Sequence, residues 1–173
     1  DIIAESISDN AEYRTEIRSL TMDKGILMTT AKDPEAESVY EMYYDFSTPV
    51  RKMTGYRTLA INRGEKEKFL SVKIEAPIDE ITGYLIRQVI VRDNPNTNDI
   101  LRNTITDSYE RLIAPSIERD IRSSLTEAAE DGAIKVFGSN LKQLLMQPPI
   151  NGHVVLGWDP AFRTGCKLAV VDA

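Results

Sequence analysis

Apolar residues recur at helical spacing over most of the chain, and this spacing predicts a mainly α structure. Tyr13, Ile17 and Leu20 lie at i, i+4 and i+7. Asp9 or Asn10 is expected to cap this helix, and Gly25 to end it. Similar patterns predict further helices over 2–8, 77–91, 99–113 and 115–146. Pro115 is expected to begin the last and longest helix, and Pro148 with Pro149 to end it.

Shorter β-prone runs interrupt the helices. One covers residues 26–30, and another covers 69–76 with Leu70, Val72 and Ile74 on one face. Ser47-Thr48-Pro49 combines a capping hydroxyl with a proline that suits the first helical position, so a helix is expected to begin there. The expected class is therefore mainly α with small β elements, that is α+β.

The region before that signal holds several large side chains: Tyr40, Met42, Tyr43, Tyr44 and Phe46. Exposed aromatic rings beside basic residues often hold single-stranded RNA by stacking. Core packing is the favoured interpretation, because no positive charge flanks this group before Arg51.

The last stretch, 154–172, alternates as two apolar strands around a turn, with Asp159 where the first strand ends. An RNase H-like fold begins in this way, with that carboxylate beside a metal and a phosphate. A simple Asp-Pro turn is the favoured interpretation of Asp159 from the sequence chemistry alone. Arg163 either contacts phosphate or pairs with Asp159, and Cys166 is expected to be a small buried hydrophobe.

Composition excludes several classes of protein. Hydrophobic residues make up 42% of the 173 positions, which is enough to build a core, and no apolar run is long enough to cross a membrane. The chain has one cysteine, Cys166, and one histidine, His153, which make neither an internal disulfide nor a good zinc site. This favours a reducing cytoplasm, and we expect no cofactor. The chain begins with Asp1 rather than Met, so we expect it to be a piece of a longer protein.

The net charge of −6 hides a gradient along the chain. Residues 1–50 carry −7 and residues 74–173 carry −4, but residues 51–73 carry +5. Arg51, Lys52, Arg57 and Arg63 in this basic segment are candidates for contacts with nucleic acid. From charge alone, a solvated helix face that balances the acidic N-terminal part is the favoured interpretation.

Two runs near the C-terminus, 147–150 and 156–172, closely resemble the Tex family of bacterial transcription accessory proteins at the entry to their YqgF-type RNase H-like domain. Residues 43–47, 57–65 and 118–122 are similar to upstream blocks of that family. The chain differs from the family pattern at Ala161, at Trp158 and at Gly55-Tyr56.

The resemblance implies a helical Tex core region over 1–150 and, over 151–173, the first β-hairpin of a truncated YqgF/RNase H-like domain. It implies a scaffold in an RNA-binding or other nucleic-acid-binding protein, with the transcription machinery as a partner. In such a protein the charge pattern makes Arg51, Lys52, Arg57, Arg63 and Arg163 the candidates for weak contacts. Two alternatives stay open. One is part of a metal-dependent resolvase-type nuclease, inactive here because Asp159 stands without the other carboxylates and no metal site is complete. The other is a helical protein-interaction module.

Overall fold

The computed structural model describes residues 2–148, 150–161 and 163–172, so the expected helix stop at Pro149 and Phe162 of the expected turn lie outside it. The chain divides into two compact units, 1–134 and 135–173. The helices are α1 (Ile2–Ser8), α2 (Ala11–Lys24), α3 (Gly55–Lys66), α4 (Ile78–Val89), α5 (Pro95–Asp107) and α6 (Ala114–Leu145). The strands are β1 (Ile26–Ala31), β2 (Asp45–Pro49), β3 (Leu70–Glu75), β4 (Val155–Asp159) and β5 (Lys167–Val171). The predicted class, mainly α with small β elements, is confirmed. Within the described part, no helix is long and apolar enough to cross a membrane.

Both ends of α2 follow from local chemistry, as predicted. The Asn10 side chain accepts hydrogen bonds from the backbone N–H groups of Glu12 and Tyr13, at 2.9 and 3.1 Å. At the other end, the Gly25 N–H donates to the Thr21 carbonyl at 2.9 Å, and the Gly25 carbonyl accepts from the Val50 N–H. Gly25 therefore joins the end of the helix to the segment that follows β2.

The first unit contains an antiparallel sheet in the order β2-β1-β3. Leu27 and Thr29 on β1 are buried, as are Leu70 and Ile74 on β3, with Val72 partly buried between them. The predicted apolar face of β3 is thus confirmed. Alternate residues point to solvent, which is usual for an antiparallel sheet that covers a core on one side.

The helix start predicted at Ser47-Thr48-Pro49 is wrong, because these residues end strand β2. Ser47 pairs with Met28 and Thr48 with Leu27 in the sheet. Proline lacks a backbone N–H, but it is tolerated at the end of an edge strand, where the missing donor breaks no ladder bond. A short 3-10 helix, Val50–Lys52, follows, and α3 begins only at Gly55.

The predicted break before Pro115 is also wrong. A π-helical turn, Ser108–Ile113, joins α5 to α6 without interruption, so Pro115 lies inside one continuous helical rod. Proline in a helix interior removes a hydrogen bond and crowds the carbonyl four residues earlier, here that of Arg111. A wider π turn at that point relieves the crowding.

The core of the first unit is formed by aliphatic side chains from its helices and strands and by three tyrosines. Tyr40 and Tyr43 are buried, and Tyr44 and Phe46 pack against the core with partial exposure. Core packing therefore accounts for most of the aromatic group. Met42 is the exception, since 74% of it is exposed.

In the second unit, β4 and β5 form an antiparallel pair whose register runs from Val155 opposite Val171 to Asp159 opposite Lys167. The predicted hairpin is therefore confirmed. Most residues of both strands are exposed. Cys166 is exposed and precedes β5, so the expectation that it is a small buried hydrophobe is wrong.

Candidate nucleic-acid interface

The basic segment begins in the 3-10 helix that follows β2. Arg51 Nη1 lies 3.0 Å from Asp23 Oδ1, and both side chains are more than half exposed. This exposed ion pair offsets much of the Arg51 charge. Lys52 beside it is exposed and leaves its charge in solvent.

Arg57 lies on α3 between two aromatic rings. Its guanidinium carbon is 5.6 Å from the centroid of the Phe46 ring on β2 and 5.6 Å from the centroid of the Tyr56 ring. Both distances suit a cation–π contact. The cation is thus held by the sheet on one side and meets an exposed ring on the other.

Tyr56 is 66% exposed, and sequence reasoning missed it as a site residue. Arg63 is also exposed and lies seven residues further along α3, which places it on the same helix face about 10 Å away. An aromatic residue next to arginine inside a basic segment was the available signal. From the sequence, stacking was considered only for the larger aromatic group at 40–46, and most of that group packs in the core.

The opposite face of α3 is fixed to α6. Asn62 Nδ2 donates to Thr126 Oγ1 at 2.8 Å, and the guanidinium of Arg122 makes a bidentate, partly buried ion pair with the Glu65 carboxylate. Gly55 lets the start of α3 approach Ala129 closely, since a Cβ there would lie 3.3 Å from the Ala129 Cα. These contacts hold the exposed face of α3 in a defined orientation.

The remaining predicted site residues, Asp159 and Arg163, belong to the second unit. Asp159 ends β4 opposite Lys167, and Arg163 is exposed in the turn before β5. The structure therefore groups Arg51, Lys52, Arg57 and Arg63 in the first unit. Over residues 2–148, 150–161 and 163–172, no three His, Cys, Asp or Glu side chains are grouped to hold a metal ion.

A cavity of about 910 Å³ in the first unit has the opposite charge to α3. Carboxylate residues at its wall outnumber the single cation, Lys73. Burial raises the pKa of the Tyr109 hydroxyl in this wall, and the Glu110 and Glu118 carboxylates raise it further. Phosphate would be repelled there, so the electrostatics favour α3 as a surface for nucleic acid.

These features define a mainly helical module with one exposed basic and aromatic helix face. The chain belongs to the Tex central region-like family, whose model matches residues 1–137.

Similar proteins come from bacteria and from animals. YdcI of Bacillus subtilis is 51% identical over 174 residues, which cover 99% of this chain and 24% of YdcI. The Transcriptional accessory protein Tex of Neisseria gonorrhoeae is 33% identical, with 99% of this chain and 24% of that protein covered. The human S1 RNA-binding domain-containing protein 1 is 32% identical, with 99% and 19% covered. The chain thus spans a quarter or less of the length of these relatives.

Proposed function

We propose that this chain is the helical core of a nucleic-acid-associated transcription accessory protein and that its α3 face makes a weak contact with single-stranded RNA. The observation that carries the proposal is that Tyr56 and Arg63 are exposed on one face of α3, with Arg57 held beside the tyrosine ring and Lys52 exposed just before the helix. The printed names of the relatives, which include transcriptional accessory and S1 RNA-binding proteins, support this class of function. Such a role places the chain in the cytoplasm, beside the transcription machinery.

In this proposal the charged residues contact phosphates and the aromatic ring contacts a base. Lys52 and Arg63 neutralise phosphates of the strand, and each neutralised phosphate releases counterions. Tyr56 stacks on one base, which is a sequence-tolerant contact available to single strands. The chain carries −6 overall, so we expect binding to be weak and to fall steeply with salt.

The electrostatic part is tested by fluorescence anisotropy of a labelled single-stranded RNA at low and physiological salt. Arg57→Glu with Arg63→Glu should weaken binding and reduce the salt dependence, because two cations are inverted. Arg119→Glu is the control, since Arg119 is exposed on α6, away from that face of α3. Tight binding that survives physiological salt, or loss through the Arg119 change alone, would move the contact to α6.

The stacking part is tested with an abasic strand of the same length and charge. Tyr56→Leu should weaken binding of the base-containing strand roughly fivefold or more and leave the abasic strand unaffected, while Tyr56→Phe should bind both strands like the parent. Equal binding of the two strands by the parent chain would reject the stacking contact and leave the phosphate contacts standing.

For the second unit, we infer that residues 151–173 form the first hairpin of a YqgF/RNase H-like domain. The exposed apolar residues of β4 and β5, Trp158 among them at 68% exposure, support this inference because a larger sheet and its helices would cover them. Trp158 is the only tryptophan of the chain. A chimera that continues with the corresponding part of YdcI should shift its fluorescence emission to shorter wavelength, and an unchanged spectrum would contradict the inference.

The alternative of a nuclease requires more carboxylates than Asp159 alone. We expect this chain to cleave neither single-stranded nor branched substrates in Mg²⁺ or Mn²⁺. Cleavage that Asp159→Asn abolishes would reverse that expectation.

A further inference from the structure

The cavity of about 910 Å³ in the first unit lies where α2, the end of β3, the start of α4 and the π turn meet. Its volume is in the range of sites that bind small molecules or one or two side chains of a peptide. It is separate in residue content from the α3 face described above.

The floor of the cavity is apolar and well ordered by packing. Ile17 from α2, Ile74 from β3 and Ile117 from α6 line it, and each is almost completely buried in the core. At its mouth, the first residue of α4, Ile78, is 52% exposed. An apolar side chain entering the cavity would therefore find apolar contacts at both depths.

The mouth is acidic. Glu75, Asp79 and Glu110 line it, are exposed, and make no ion pair within the described part of the chain. Two further carboxylates in the wall are already engaged: Glu118 accepts the Ile74 N–H at 2.9 Å, and Glu80 pairs with Lys24. These three carboxylates outnumber Lys73, the cation of the same wall, so an excess of negative charge lies above the apolar floor and selects for a cationic ligand with an apolar body.

The wall of the cavity also carries a tyrosine hydroxyl. Tyr109 is 3% exposed and lines the cavity, and its hydroxyl makes no hydrogen bond to the residues that the structure describes. Tyr109 belongs to the π turn, Ser108–Ile113, a helix geometry that occurs often at functional sites. The ring is buried while the hydroxyl is reached from the cavity, so it can bond a ligand carbonyl or N–H.

We propose that this cavity binds a short basic peptide segment of a partner protein, with an apolar side chain on the isoleucine floor and flanking lysines or arginines at the acidic mouth. The Tyr109 hydroxyl bonds the peptide backbone. The Glu118 side chain occupies the Ile74 N–H at the edge of β3, so the peptide binds by its side chains and does not extend the sheet as an added strand.

The test uses the 173-residue chain and fluorescein-labelled nonapeptides followed by anisotropy. A peptide in which lysine alternates with leucine should bind. Peptides of lysine alternating with serine, and of glutamate alternating with leucine, should bind at least tenfold more weakly, because each lacks one of the two required features.

Two sets of variants localise the binding. Glu75→Gln, Asp79→Asn and Glu110→Gln together should weaken the lysine–leucine peptide about tenfold. The matched control, Glu127→Gln, Glu130→Gln and Asp131→Asn, changes the same charge on exposed α6 positions and should leave affinity unchanged. Tyr109→Phe should weaken binding about fivefold and Ile78→Ser should also weaken it, whereas Ile100→Ser, at an exposed position on α5, should not.

Equal weakening by both triple variants would show non-specific attraction to an acidic chain and would overturn the proposal. Failure of the lysine–leucine peptide to bind would do the same. Self-association of the chain that the cavity triple variant abolishes would assign the cavity to a second copy instead. Circular dichroism of each variant establishes that the fold is intact before its affinity is compared.

Discussion

At the scale of the residue, Gly25 is needed because the chain at this position passes very close to the carbonyl oxygen of Thr21. A Cβ at this position would lie 2.3 Å from the Thr21 carbonyl oxygen, which is backbone and has no freedom to move aside. We expect Gly25→Ala to lower the free energy of unfolding by about 1–3 kcal/mol. Gly132→Ala is the control, because no atom lies within 4 Å of a Cβ there, and it should stabilise α6 by about 0.5–1 kcal/mol. Urea titration of both variants measures the difference, and equal stability of the two would contradict the prediction.

A second prediction concerns Asp107 at the end of α5. Arg111 donates to both carboxylate oxygens, at 3.0 and 2.8 Å, and these hydrogen bonds hold the pKa of Asp107 below its ordinary value of 3.8. The folded pKa is below the unfolded one, so the stabilisation is complete above about pH 4 and disappears as the pH falls through the folded pKa. Asp107→Asn should therefore lower stability at pH 7 and change it little near pH 2. Urea midpoints at the two pH values decide this, and an equal loss at both would show that the charge is not involved.

Features that depend only on residues close together in the chain could be predicted from the residue types. Asn10 caps α2 because its side chain reaches N–H groups two and three residues ahead, which is local chemistry. The contact of Arg57 with Phe46 joins α3 to β2 and depends on how those elements pack. No spacing in the sequence reports that packing, so the aromatic partner of the basic segment emerged only from the structure.

At the scale of the element, the helical rod contains Pro115 without a break. Proline in a helix interior is about 3 kcal/mol less favourable than alanine, and the π turn before it relieves part of that cost. We expect Pro115→Ala to stabilise the chain by about 1 kcal/mol, and Pro95→Ala, at the start of α5 where proline is tolerated, to change stability by less than about 0.5 kcal/mol. Thermal unfolding compares the two, and a Pro115 variant less stable than the parent would mean that the proline ring packs favourably where it stands.

The ends of helices and strands were predicted best where a local residue pattern fits only one kind of element boundary. Hydroxyl residues followed by proline suit a helix start and also the end of an edge strand, so Ser47-Thr48-Pro49 was ambiguous and the sheet decided it through pairing with β1. The π turn has no sequence signature of its own. The π turn could be located only from the structure, in which the helix continues through Pro115 without a break.

At the scale of the whole molecule, the charge gradient was visible in the sequence. Which carboxylates lie together in space was not. The carboxylates at the cavity mouth come from the end of β3, the start of α4 and the π turn, which lie far apart along the chain. The hairpin of the second unit was predictable because alternation around a short turn is a local pattern.

The two units should differ in local stability. In the first unit, strands and helices surround one buried core, and β1 has a partner on each side. In the second, a two-stranded ladder and the last part of α6 carry mostly exposed side chains, and such elements are marginal in water. We expect hydrogen exchange at neutral pH to protect amides of β1 and α2 at least a hundredfold more than those of residues 155–159 and 167–171, because opening a region with few buried contacts requires less free energy. Exchange measured by mass spectrometry resolves the two groups, and uniform protection across residues 2–172 would show that the hairpin gains stability from contacts beyond its own ladder.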